Sequence, residues 1–141
     1  MATYTKFNQF VEDVAEGVYD LGADTLKVML TLTAPVATNS VKADLTEISA
    51  GNGYTAGGTT TAQSSSAQSS GTYKLVIADV VFTASGGAMA DFRYAVLYSD
   101  TPTSPADPLI GFWDYGSTVS LASGETFTVD FDASAGVLQI A

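Results

Sequence analysis

At 141 residues the chain is sized for one domain, residues 1–141, with a real hydrophobic core. Apolar residues make up 46% and mean hydropathy is +0.21, which excludes disorder of the whole chain, while charged residues are only 14%, so Thr, Ser, Gly and Ala must cover much of the surface. Lys+Arg total 5 against Asp+Glu 15, a net charge of −10; this makes a poor ligand for nucleic-acid phosphates or anionic membranes and suits a partner with a basic surface.

There is no Cys, hence no disulfide or thiolate chemistry, and no His, the commonest general base and transition-metal ligand. The opening MATYTKFNQF lacks the cationic start and apolar core of a signal peptide. No run approaches the roughly 18 apolar residues of a membrane span. The expectation is synthesis in the cytoplasm without a secretion signal.

In chain order, Tyr4–Leu21 reads as the one helix. Phe7, Phe10, Val11, Val14, Val18 and Leu21 recur at spacings of three and four, with Thr5 placed to cap the start and Gly22 the end. Thr25–Thr33 follows as a strand with one buried face, Leu26, Val28, Leu30 and Leu32 alternating with Lys27, Met29 and Thr31. Val41–Ile48 is a weaker strand. Residues 49–71 form a Gly/Ser/Thr-rich excursion: a surface loop, or an arm that orders against a partner, with Thr59–Ala62 able to form an edge strand.

Tyr73–Tyr98 predicts the central strand pair. Tyr73–Phe82 is apolar on both faces, as for a covered interior strand, and Phe92–Tyr98 supplies its partner. Leu109–Tyr115 is a short aromatic strand, Thr126–Asp132 alternates as a half-exposed strand, and Gly136–Ile140 closes the chain. The sum, about eight antiparallel strands separated by turn signals, predicts an all-β domain of β-sandwich or jelly-roll type with one N-terminal helix.

Few residues offer chemistry. Asp114, between Trp113 and Tyr115, has the look of a sugar subsite, and Asp130 and Asp132 share a strand face that the alternation sends to solvent. The bland reading, solvated surface carboxylates, fits all three. Asp130-x-Asp132 lacks the further ligands of a calcium loop, and no nucleophile motif or phosphate loop occurs. The chain is therefore expected to have no catalytic residues, no cofactor and no metal site. Phe112, Trp113 and Tyr115 are the candidate interface residues, because Trp and Tyr join a large apolar area to a polar tip; a place in the core explains them equally well.

Three stretches, TKFNQFVEDVAEGVYDLGADTLKVMLT, ADLTEISAGNGYTAGG and GFWDYGSTVSLASGETFTVDFDASAGVL, together resemble a family of small structural virion proteins of tailed bacteriophages. Within it they are most like capsid decoration, or cement, proteins. The resemblance implies a non-enzymatic protein on the capsid exterior that bridges major capsid proteins and stabilises the shell, assembled in the host cytoplasm. It also implies a homo-oligomer, dimer or trimer, with no direct nucleic-acid or membrane contact. The alternative within the virion is a tail, connector or receptor-binding tip component.

Overall fold

The computed structural model describes residues 2–141, and antiparallel strands dominate it. In chain order the elements are β1 (Thr3–Lys6), α1 (Gln9–Ala15), β2 (Leu26–Thr31), β3 (Thr59–Thr61), β4 (Gln63–Ser69), β5 (Thr72–Ile77), β6 (Val80–Thr83), β7 (Phe92–Ser99), β8 (Leu109–Val119), β9 (Thr126–Val129) and β10 (Leu138–Ile140). They form a five-stranded sheet in the order β1-β8-β7-β2-β3, a three-stranded sheet β10-β5-β4, and the pair β6-β9. The all-β expectation with one helix holds. The details of five segments differ from it.

The helix is shorter than its apolar spacing suggests. Residues 3–6 pair with β8 as β1, with Thr3 opposite Asp114 and Lys6 opposite Gly111. The residue before the helix is Asn8, not Thr5, and it makes no side-chain cap bond. Its end comes at Gly17, not Gly22: with φ at +77°, Gly17 lets the Val18 N–H reach Asp13 O (2.9 Å) and its own N–H reach Val14 O (3.3 Å). This is a Schellman end, which turns the chain out of the helix. The apolar stripe divides accordingly, Phe10 entering the main core and Phe7 a second one, while Val11 is 53% exposed.

β2 is a covered interior strand, lying between β7 and β3. Leu26, Val28 and Leu30 point into the main core, where residues of all three sheets meet: Ala95, Leu97 and Ile110 from the large sheet, Leu75 and Ile77 from β5, and Val80, Phe82 and Val129 from the β6-β9 pair. The opposite face was expected to be solvated. Instead Met29 and Thr31 are fully buried, and Met29 joins Phe7, Val96, Tyr98, Leu109 and Phe112 in the second cluster, with Leu45 packed against it. Leu32, expected inside, is exposed, because the strand ends at Thr31.

Residues 41–48 contribute to that cover without forming a strand. A short 3-10 turn, Lys42–Asp44, is fixed by the Asp44 carboxylate, which accepts from the Ser40 N–H (2.9 Å) and Val41 N–H (3.2 Å). Beyond the end of β3, the free edge of β2 is closed by side chain and loop. Leu30 N–H donates to the Tyr54 hydroxyl (3.1 Å), Ile48 N–H bonds to Leu30 O (3.2 Å), and Tyr54 in turn donates to Glu47 Oε1 (2.6 Å). Burial and the Glu47 carboxylate push the Tyr54 hydroxyl far above its ordinary pKa, so it stays protonated as a donor. Tyr54→Phe should cost about 1–3 kcal/mol in urea denaturation, because it strands the buried Leu30 amide of β2.

Residues 73–98 are not one strand pair. The apolar run breaks at Ala78-Asp79, where Asp79 Oδ1 accepts the Phe131 N–H (2.8 Å) and the chain passes from one sheet to another. β5 pairs with β4 and β10, β6 pairs with β9, and β7 lies between β2 and β8. The excursion at 49–71 carries two strands in its second half: β3 pairs with β2, and β4 with β5 through a two-residue turn at Ser70-Gly71.

Candidate binding cleft

Period-two alternation along β8 decides where its aromatic run goes. Phe112 falls on the face of the second core, its ring 5.1 Å from that of Phe7, and is 8% exposed. Trp113 and Tyr115 fall on the other face. There the Trp113 ring lies 5.1 Å from Tyr4 of β1 and 5.3 Å, edge on, from Phe131. Tyr115 meets Phe127 edge on at 5.2 Å, and Phe127 meets Phe92 at 5.0 Å. Tyr115 nevertheless remains 54% exposed. Two of the three interface residues expected from sequence thus come together, and Phe112 is core.

Around them opens a cleft of about 380 Å³ between the β7-β8 side of the large sheet and β9. Leu30 and Ala95 reach it from the large sheet, Phe92, Trp113, Tyr115, Phe127 and Phe131 supply aromatic wall, and Thr126, Thr128 and Asp130 supply polar rim. This volume lies at the small end of ligand-sized sites, and apolar walls with a few polar groups are typical of such sites. The aromatic contacts between wall residues hold the rings in place before any ligand arrives, so little side-chain entropy would be lost on binding.

The three carboxylates sit in different surroundings. Asp114 is held by Arg93 in a two-pronged ion pair, Nε to Oδ1 at 2.8 Å and Nη2 to Oδ2 at 3.1 Å, and accepts the Gly116 N–H at 2.8 Å. The Arg93 guanidinium beside it holds its pKa below the usual carboxylate range, the wrong direction for a general acid. Asp132 accepts the Ser134 and Ala135 N–H groups (2.7 and 2.9 Å), which caps the turn after β9 and lowers its pKa by hydrogen bonding. Asp130 is exposed on the cleft rim. Among the described residues no group of three or more acidic side chains is placed to hold a metal ion, and no helix is long and apolar enough to cross a membrane.

Phe92, Phe127 and Phe131 are cleft residues that sequence reading missed. Their alternation marks inward-facing positions, but their meeting with Trp113 and Tyr115 depends on how β9 stacks beside β8. No protein-family model, curated protein or solved structure matches the chain.

Proposed function

We propose that the protein is a non-enzymatic structural component of a tailed-phage virion that decorates the capsid exterior and stabilises it by bridging major capsid proteins. The observation that carries the binding part of this reading is the pre-assembled aromatic cleft, with Tyr115 exposed at its mouth and its one guanidinium already committed to Asp114. Such a surface is built to hold an apolar group of a partner. The virion part rests on the resemblance of the three sequence stretches to phage structural proteins.

The finer architecture in this reading is a β-sandwich. The five-stranded sheet forms one layer, β4-β5-β10 with β6-β9 forms the other, and the core common to all three sheets supports the assignment. A rigid β domain of this kind suits a clamp. As a homodimer or homotrimer it would engage several capsid subunits at once, so weak single contacts sum to a strong one. The net charge of −10 favours a basic protein surface over nucleic acid or membrane as partner.

Purified capsids with and without the protein provide the test. Capsids carrying it should survive heating that ruptures bare ones, and Tyr115→Ala should lose much of that protection while keeping its own fold. Equal heat tolerance of bare and decorated capsids would end the proposal.

A further inference from the structure

The edge of β9 gives the cleft a more specific use. β9 pairs only with β6, in a register that sets Val129 opposite Val80 and Phe127 opposite Phe82. In the same register the Ala84 N–H bonds to Glu125 O at 2.9 Å. Opposed residues of an antiparallel pair alternate between exchanging hydrogen bonds and making none. Phe127 and Val129 therefore turn their amides and carbonyls toward β6, as Glu125 turns its carbonyl while its N–H bonds to Ala122 O (2.9 Å), and Thr126 and Thr128 turn theirs away. Phe131, of the first parity, confirms the direction by donating its N–H to Asp79.

Among the described residues, no backbone group bonds to Thr126 or Thr128 on the outward side. The cleft runs along that side. Its lining takes the consecutive residues 126 to 131, whereas a groove over a strand face would take alternate ones. Opposite, β7 has no β2 partner before Tyr94, so Phe92 and Arg93 line the cleft beyond the end of that pairing. β9 is short, four residues, but carries no Lys, Pro or bulge of the kinds that commonly blunt an exposed edge.

Charge selects the occupant. No Lys or Arg follows Arg93 in the chain, and Arg93 is paired with Asp114. Glu125 and Asp130, both exposed, flank β9, while Asp132 beyond them has Lys74 close by, the Lys74 Nζ donating to Ser134 O at 2.7 Å. A second copy of the chain, itself at −10, is a poor match for this edge.

We propose that the cleft receives an extended basic segment of a partner protein, which adds as a strand to the free edge of β9 and turns alternate apolar side chains onto the aromatic lining. This rests on the reading of the cleft as a contact surface. Main-chain bonds to Thr126 and Thr128 would fix the register, and side chains would supply the selectivity.

The test uses isotope-labelled protein and two synthetic peptides, one alternating valine with lysine and one alternating valine with glutamate. With the lysine peptide, amide exchange at Thr126 and Thr128 should slow by roughly tenfold or more, with binding weakening as salt rises. The glutamate peptide should leave both amides unchanged. Thr128→Pro removes an N–H that β6 does not use and should abolish binding, while Thr128→Val should retain it. Should the proline variant not fold, exchange in the unaltered protein decides alone. Unchanged exchange at both amides with the lysine peptide at about 1 mM would overturn the proposal, as would equal protection by the glutamate peptide or protection arising from self-association without peptide. No capsid enters this experiment, so a failure to stabilise capsids removes the virion reading and leaves the strand-addition result standing.

Discussion

Gly58→Ala is expected to destabilise the protein by about 3–5 kcal/mol and to lower Tm by on the order of 10 °C. Two effects add. Gly58 has φ at +82°, a left-handed conformation that costs a residue with a side chain roughly 1–2 kcal/mol. A methyl group there would also overlap the carbonyl oxygen of Val28, and lie 2.6 Å from Val28 C and 2.7 Å from Met29 Cα. Those atoms belong to β2, which is fixed between β3 and β7 and cannot yield cheaply. Moving residue 58 would in turn disturb Gly57, whose N–H bonds to Glu47 Oε1 at 2.5 Å and whose carbonyl accepts the Tyr98 hydroxyl at 2.6 Å. Differential scanning calorimetry measures the effect, and a fall of under about 3 °C would mean that β2 and residue 58 do not meet this closely.

Met29→Ala should cost about 2–5 kcal/mol, the range for emptying a fully buried long apolar side chain. The substitution discriminates between two pictures of β2. If the strand had one solvated face, as its alternation suggests, Met29 would lie on that face and its removal would fall within about 0.5 kcal/mol of neutral. In the structure it is 0% exposed and packs with Phe7, Val96, Tyr98, Leu109 and Phe112. Urea denaturation of this variant beside Leu30→Ala, on the opposite face, should show losses of similar size.

The comparison of these two residues also shows what the sequence carries and what it does not. Period-two patterns over Leu26–Thr31, Phe92–Ser99 and Thr126–Val129 mark strands correctly, because alternation is a property of each segment by itself. The cover over Met29 is not local. It comes from Phe7, placed before the helix, and from Leu45, in a loop whose apolar content is too sparse to announce a core. The helix is misjudged for a similar reason: spacings of three and four persist through Gly17, but the left-handed turn there ends it, and the residues before Phe7 gain more by pairing with β8. The stretch 73–82 looks like one strand because nothing nearby shows that Asp79 takes the Phe131 amide.

The site follows the same rule. Trp113 and Tyr115 stand out in sequence through their own chemistry, and both reach the cleft. Phe112 stands out equally and is core, since alternation cannot say which face of β8 lies over Phe7. Phe127 and Phe131 enter the site only through the stacking of β9 beside the large sheet. The carboxylates are the clearest case. Asp114 looks available between two aromatic residues, yet Arg93, some twenty positions earlier, holds it in an ion pair across the β7-β8 ladder.

Copy number per particle tests the central claim most directly. Quantitative mass spectrometry of purified virions, calibrated on the major capsid protein, should return on the order of hundreds of copies of this chain, the count that decoration of a symmetric shell requires. A count of about six to twelve, the stoichiometry of a tail or connector ring, or its absence from the particle, would contradict capsid decoration.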